Sequence, residues 1–110
     1  MLTVFVTCPS KKEAEKLAVT AVKERLAACV NVFPLASVYY WNKKLVRGRE
    51  YALLLKTTEK RYAQLEHRLK QLHSAQVPCI VAWKDEKAHV PYAAWVAKSV
   101  HSASEFLPMV

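Results

Sequence analysis

The sequence predicts a small α+β fold in which helices pack against an antiparallel sheet. Leu17, Ala21 and Leu26 recur at helical spacing, whereas the residues that follow Ala28 are β-branched and aromatic. The element order along the chain is β-α-β-β-α-β with an added C-terminal helix, which is the split βαβ or ferredoxin-like arrangement. With 110 residues, of which 53% are hydrophobic, the chain is expected to form one domain over residues 1–110.

The first strand and the first helix are separated by a proline. Leu2–Thr7 is rich in residues that favour strands, and Pro9 ends this run. Ser10 and Glu13 fit a capping box, in which the serine oxygen accepts a backbone N–H and the glutamate reaches back. The helix that follows is expected to continue to about Ala27.

A long β-hairpin is predicted next. Strand 2 covers Cys29–Trp41, and Pro34 within it requires a bulge or an edge position because proline has no N–H for the ladder. Asn42-Lys43-Lys44 is a plausible turn. Strand 3 is expected from about Leu45 to Lys56, with an interruption near Arg47-Gly48.

A second helix and a fourth strand complete the sheet. Thr58 is a suitable N-cap for the helix. Val77-Pro78 ends the helical region, and Cys79–Trp83 has the pattern of strand 4. Lys84–His89 is either a polar loop or a short extra strand. The apolar stripe of helix 2 consists of Tyr62, Leu65, Leu69 and Leu72.

A third helix is predicted after Pro91, which suits a first helical turn. The residues from Ser102 onward are expected to fray, although Phe106 and Leu107 could dock. The face of this helix that packs is expected to contain Tyr92, Trp95, Val96, Ser99 and Val100.

Both faces of the predicted sheet are apolar. Its strands carry Val, Leu, Phe, Tyr and Trp in both phases of the alternation, which indicates burial on both sides. Two helices cover only one face, so we expect another subunit to cover the second. Tyr39, Tyr40 and Trp41 at the end of the long hairpin suit such a contact.

Cysteine usage and charge exclude several classes. Cys8, Cys29 and Cys79 are odd in number and form no C-x-x-C pair, which disfavours a disulfide framework or a zinc ribbon and favours small buried hydrophobes. The net charge of +8 is compatible with nucleic-acid binding. The basic residues are spread over helix faces, with one cluster at 43–49, which favours a solvated surface instead. No secretory signal or membrane-spanning run is recognised, so a cytoplasmic location is expected.

Several segments together resemble the CutA family of divalent-cation-tolerance proteins. The resemblance implies a ferredoxin-like fold, a compact homotrimer and a link to tolerance of copper and other divalent cations. The segments are Arg25-Leu26-Ala27-Ala28-Cys29-Val30-Asn31, Ser37-x-Tyr39-x-Trp41, Glu50 with Leu54-Leu55-Lys56-Thr57, His73 with Val77-Pro78, and Tyr92-x-x-Trp95.

The chain departs from the family pattern near its histidine. Ser74-Ala75 stand where the family often has proline and tyrosine, and Cys79 stands where it often has glutamate. Asn42-Lys43 replace a usual glycine at the hairpin tip, and the strand-1 cysteine of some members falls at Val6, two residues before Cys8. A thiol in place of a carboxylate favours softer metals such as Cu(I), or else the site is lost.

The predicted metal ligands are His73, Cys29, Cys79 and Glu50. Histidine and thiolate together suit copper or zinc, so the expected cofactor is copper or another divalent cation. Their spacing is not a metal motif, and only the fold could bring them together. The alternative for His73 is a dipole partner at a helix C-terminus.

A pocket at a subunit interface is the second predicted site. Lys56 and Glu50 on strand 3 are expected to lie beside Tyr39 and Trp41, either as pocket residues or as an interfacial ion pair. Helical spacing favours packing over ligand stacking for the aromatic pair of helix 3. The predicted interface or pocket residues are Tyr39, Trp41, Lys56, Tyr92 and Trp95.

The sequence disfavours three other function classes. No Ser/His/Asp set is recognisable and the chain has one glycine, so no enzyme is expected, although a Cys–His pair without a signature stays open. An RNA-binding module is disfavoured because the motif begun by Arg47-Gly48 does not continue through Arg49–Leu53. A PII-like trimeric sensor shares the scaffold, but the short turn between strands 2 and 3 counts against nucleotide signalling.

Overall fold

The computed structural model describes residues 1–101, and the tail predicted to fray lies outside them. Four strands form one antiparallel sheet in the order β2-β3-β1-β4, which confirms the predicted ferredoxin-like topology. Within residues 1–101, no helix combines the length and apolarity that a bilayer crossing demands. The elements are β1 (Leu2–Cys8), α1 (Lys11–Lys23), β2 (Cys29–Trp41), β3 (Lys44–Thr57), α2 (Glu59–Leu72), β4 (Ile80–Lys84) and α3 (Val90–Ser99).

The hydrophobic core lies between the sheet and the helices α1 and α2. Alternate residues of each strand face these helices, as the twofold period of a strand requires. Each large aliphatic side chain removed from water contributes about 1.5–3 kcal/mol, so this layer provides most of the stability. Its most deeply buried members are Val4, Val6, Leu53 and Leu55 from the sheet and Ala14, Leu17, Leu65 and Leu69 from the helices.

Helix α1 ends four residues earlier than the sequence predicts, at Lys23 instead of Ala27. Arg25 takes the left-handed conformation, with a φ of 58°. The N–H of Leu26 then donates to the oxygen of Ala21 at 2.9 Å, and the N–H of Arg25 donates to the oxygen of Val22 at 3.0 Å. This is a Schellman motif, which closes a helix whatever the hydrophobic period beyond it.

The β2–β3 hairpin is continuous. The two strands pair without a bulge from Cys29 opposite Lys56 to Trp41 opposite Lys44. The predicted interruption at Arg47-Gly48 is therefore wrong. Gly48 has no positive φ, and a side chain added there would meet nothing within 4 Å, so the glycine does not break the strand.

The hairpin tip is a two-residue turn. Asn42 and Lys43 have φ values of 50° and 64°, as a type I′ turn demands at both central positions. β3 therefore starts at Lys44, one residue before the predicted start. Strand β2 is an outer strand of the sheet, which confirms the edge position inferred from Pro34.

Helix α3 covers part of the second face of the sheet, which corrects the expectation that only another subunit could do so. Val96 and Val100 are buried, and α3 packs against β3. The hydroxyl of Thr3, on this face, donates to the carboxylate of Asp85 at 2.8 Å. Asp85 belongs to the polar segment before α3, which forms a loop and no extra strand.

The rest of the second face stays uncovered in the single chain. Val81 and Trp83 of β4 are 52% and 45% exposed, and Trp41 of the hairpin is 57% exposed. Strand β4 runs from Ile80 to Lys84, one residue later than predicted. We call this apolar surface the uncovered face. It consists of the β1–β4 side chains that point away from α1 and α2 and that α3 does not cover.

Candidate functional site

An open groove of about 890 Å³ lies on the uncovered face. One wall is the hairpin, and the other is the segment that follows α2. The groove brings together five of the residues that the sequence singles out. These are Tyr39, Trp41, Glu50, His73 and Cys79.

The other predicted site residues lie at the opposite end of the sheet. Cys29 pairs with Lys56, and the Lys56 ammonium donates to the side-chain oxygen of Asn31 at 2.8 Å. Tyr92 and Trp95 of α3 have their ring centroids 5.7 Å apart. The structure therefore does not bring Cys29 to the other predicted metal ligands, and Lys56 does not line the groove.

Tyr92 is linked to Cys29 at that end of the sheet. Burial raises the pKa of the Tyr92 hydroxyl, and the nearby Cys29 and Asp85 raise it further. A Tyr92 hydroxyl that stays neutral docks α3 onto β2 without burying a charge. This placement is typical of packing, the alternative that helical spacing favours.

His73 is the C-cap residue of α2, and both of its ring nitrogens have partners. Nε2 lies 2.7 Å from the carbonyl oxygen of Thr7, so this nitrogen carries the proton and donates it. The backbone N–H of Ala75 donates to Nδ1 at 3.0 Å, so Nδ1 keeps a lone pair. The side chain is only 2% exposed, and these two bonds assign the neutral Nε2–H tautomer.

Glu13 reaches the same place from α1. Its backbone N–H donates to the Ser10 oxygen at 3.2 Å, which is the first half of the predicted capping box. Its carboxylate does not return to Ser10 but accepts the N–H of Ser74 at 3.1 Å and lies 3.5 Å from Nδ1 of His73. The second half of the capping box is therefore wrong, because a tertiary partner takes the glutamate.

Cys8 completes this cluster from the end of β1. Its side chain is fully buried, and burial raises the pKa of the thiol to about 12, with Glu13 and Glu50 raising it further. One ligand atom from each of Cys8, Glu13 and His73 lies within 4.8 Å of the others. The sequence did not indicate Cys8 and Glu13 as site residues. Cys8 has the pattern of a core residue, and Glu13 has the position of a capping residue.

The charge of the groove differs from that of the whole chain. The chain has 17 lysines and arginines, yet none of them is among the described residues that line the groove. Glu50 is the carboxylate in this lining. Apolar walls around the half-buried Glu50 carboxylate favour a cation over a phosphate, because a negative charge attracts cations and repels anions.

Fold and groove together define a ferredoxin-like α+β protein with an open groove on its sheet that holds the Glu50 carboxylate, the His73 imidazole and the Cys79 thiol. The family model described as CutA1 divalent ion tolerance protein matches residues 2–99. The chain therefore belongs to the CutA1 family, as the resemblance in its sequence implied.

Relatives and solved structures agree with this assignment. Divalent-cation tolerance protein CutA of Thermus thermophilus is 40% identical over 97 residues, covering 87% of this chain and 94% of that protein. Its solved structure has a TM-score of 0.88 at 39% identity, covering 92% of this chain and all of the other. CutA of Archaeoglobus fulgidus is 34% identical over 88% of this chain and 95% of that protein, and its structure, described as periplasmic, has a TM-score of 0.89.

A further structural neighbour carries a different description. The PII-like protein CutA from Nostoc sp. PCC 7120 has a TM-score of 0.87 at 25% identity, covering 92% of this chain and 98% of the other. Its description relates the scaffold to PII-like proteins.

Proposed function

We propose that this chain is a cation-binding protein whose groove takes divalent or soft metal ions such as copper. The observation that carries the proposal is the lining of the groove: Glu50, His73 and Cys79 are present, and the described lining residues include no lysine or arginine. Oxygen, nitrogen and sulfur ligands in one cleft suit Cu or Zn better than Mg or Ca. The family role in divalent-cation tolerance supports the same class of ligand.

We also propose that the protein acts as a homotrimer closed over the uncovered face. The exposed apolar side chains on this face, including Val81 and Trp83, support an interface there. Three copies would place the groove at a boundary between subunits. The role proposed is binding without catalysis. Burial raises the pKa of the Cys8 thiol to about 12, which disfavours Cys8 beside His73 as a nucleophile.

Isothermal titration with Cu and Zn salts tests the metal proposal. Glu50→Gln keeps the size of the side chain and removes its charge, so it should weaken binding at least severalfold. Glu59→Gln, which removes an exposed carboxylate of α2, is the matched control and should bind like the wild type. Equal isotherms for all three proteins would exclude the groove as the cation site.

A small-molecule sensor of the PII-like class is the second candidate. The Nostoc neighbour supports it, and a groove of about 890 Å³ is larger than one metal ion requires. The lining without lysine or arginine disfavours nucleotides. A thermal-shift screen that includes nucleotides and metals separates the two functions, because only a ligand that binds the folded state raises Tm.

The proposal also includes a cytoplasmic location and the absence of RNA binding. A cytoplasmic location is supported by Cys8, Cys29 and Cys79, which are all free thiols, because reducing compartments keep thiols unpaired. We do not propose RNA as a partner. Cell fractionation checks the first statement, and titration with single-stranded RNA at two salt concentrations checks the second.

A further inference from the structure

We propose that Cys8, Glu13 and His73 form a buried transition-metal site behind the groove, suited to Zn²⁺. The inference rests on the proposed cation-binding function and deepens it, because it gives the ion a set of ligands that differs from Glu50 and Cys79 at the groove surface. Only His73 belongs to both sets.

The three ligands converge from three separate elements. Cys8 ends β1, Glu13 lies in the first turns of α1, and His73 caps the end of α2. Their ligand atoms lie within 4.8 Å of one another. In a tetrahedral zinc site with bonds of about 2.0–2.3 Å, ligand atoms lie about 3.3–3.8 Å apart. A contraction of about 1 Å therefore converts the observed cluster into a coordination shell.

The tautomer of His73 already suits a ligand. Metal-binding histidines commonly donate the N–H of the non-ligating nitrogen to a backbone carbonyl, which fixes the ring. Here Nε2–H donates to the oxygen of Thr7 at 2.7 Å and leaves the lone pair of Nδ1 toward Glu13. The competing donor is the N–H of Ala75, which lies in the irregular segment after α2 and is released when the metal binds.

Charge also favours a cation at this position. The Glu13 oxygen that accepts the N–H of Ser74 also lies 3.5 Å from Nδ1 of His73, and a carboxylate oxygen has a second lone pair for a metal. The carboxylates of Glu13 and Glu50 both lie close enough to Cys8 to act on it electrostatically, and their negative potential attracts a divalent ion. When Zn²⁺ binds, the Cys8 S–H bond breaks, a thiolate–zinc bond forms, and one proton passes to solvent.

The mixture of donors selects the metal. One thiolate, one imidazole nitrogen and one carboxylate oxygen match zinc chemistry, and a water would complete four-coordination. Magnesium and calcium prefer oxygen ligands alone and should not compete. Metals of similar size that bind Zn²⁺ ligands, such as Co²⁺, report on the site through thiolate-to-metal charge transfer.

The test is a titration of the full chain with Co²⁺ and with Zn²⁺. The wild type should show a near-ultraviolet thiolate–Co²⁺ band that Zn²⁺ removes and Mg²⁺ does not. Cys8→Ser and Glu13→Gln should weaken Zn²⁺ binding by more than the roughly 10–100-fold that loss of an outer-shell partner costs. Cys29→Ser, at the opposite end of the sheet, is the matched cysteine control and should keep the band, whereas Cys79→Ser removes the groove thiol and separates the two sites.

The possible outcomes are distinguishable. Loss of the band in Cys79→Ser with its retention in Cys8→Ser would overturn this site while supporting the groove. No metal binding by the wild type would overturn both proposals. If Cys8→Ser does not fold, as judged by circular dichroism, then Glu13→Gln carries the test, because glutamine keeps the size of the side chain and an oxygen that can accept the N–H of Ser74. Wild-type affinity in Glu13→Gln would then overturn the site.

Discussion

Lys43 occupies a left-handed backbone conformation at the tip of the hairpin, with a φ of 64°. A residue with a Cβ atom pays about 1–2 kcal/mol there, whereas glycine pays mainly its greater entropy in the unfolded chain. We predict that Lys43→Gly stabilises the protein by about 0.5–1 kcal/mol, because asparagine–glycine is the preferred type I′ pair. Thermal unfolding at one fixed protein concentration measures the change.

The neighbouring lysine supplies the control for this prediction. Lys44 begins β3 opposite Trp41, where glycine weakens a strand. Lys44→Gly should therefore lower Tm while it removes the same charge. A fall in Tm for both variants would show that the charge or the side chain of Lys43, and not its backbone, decides the effect.

Cys8 should make the folded state sensitive to alkali. Burial raises the pKa of its thiol from the ordinary value of about 9 to about 12 in the folded state. Between these values the folded state keeps a proton that the unfolded state has lost, so stability falls as pH rises, by at most about 1.4 kcal/mol per pH unit. Below pH 9 the contribution of Cys8 is fully present.

Thermal unfolding between pH 8 and 10.5, with a chelator present, measures this slope. Cys8→Ala should flatten the dependence of Tm on pH even if its Tm at pH 8 is lower. Cys29→Ala, which changes a half-buried thiol, is the control and should keep the wild-type slope. An unchanged slope in Cys8→Ala would assign the alkaline loss to other groups.

At the scale of elements, Thr57 joins the end of β3 to the segment after α1. Its buried hydroxyl donates to the carbonyl oxygen of Leu26 at 2.8 Å. Thr57→Val keeps the shape and leaves that carbonyl without its donor, so we predict a loss of about 1–3 kcal/mol. Chemical denaturation at a fixed protein concentration measures it.

Thr58 is the matched control for that change. It occupies the N-cap position of α2, as the sequence predicts, but its side chain makes no capping hydrogen bond. Thr58→Val should therefore cost less than Thr57→Val. The reverse order would mean that the capping hydroxyl matters more to α2 than the geometry indicates.

The elements themselves were largely predictable, and their ends less so. The change of hydrophobic period predicted α1 and β2. Pro34 predicted either a bulge or an edge position for β2, and the structure has the edge position. The end of α1 was not predictable from periodicity, because a left-handed Arg25 closes the helix where glycine is usual. Gly48 suggested an interruption of β3, but the strand is extended there and has open space where a side chain would lie, so the glycine does not interrupt it.

At the scale of the whole molecule, assembly is the property to test. Val81 on the uncovered face and Val19 on α1 are 52% and 53% exposed, so they differ in position and not in exposure. If the uncovered face is a subunit interface, Val81→Asp should reduce the sedimenting mass to that of a monomer, because an interface core excludes charge. Val19→Asp should sediment like the wild type.

The candidate site was predictable only in part. Glu50, His73 and Cys79 were named from the resemblance to the family, and the groove brings them together. Glu13 was assigned to a local cap, since a sequence cannot show that a carboxylate prefers a partner 61 residues away. Nothing in the local sequence pattern distinguishes Cys8 from an ordinary core residue. Only the tertiary structure shows that Cys8, Glu13 and His73 lie together.

Pro34 lies midway along β2, the longer of the two border strands of the sheet. Proline fits such a strand where its nitrogen faces outward, so the row of amide donors offered to a passing extended peptide has a gap. Another chain can then add a strand only along the part of β2 on one side of Pro34, which disfavours edge-to-edge aggregation into fibrils. A monomer whose apolar face is still exposed is therefore protected against edge-to-edge strand pairing with other chains.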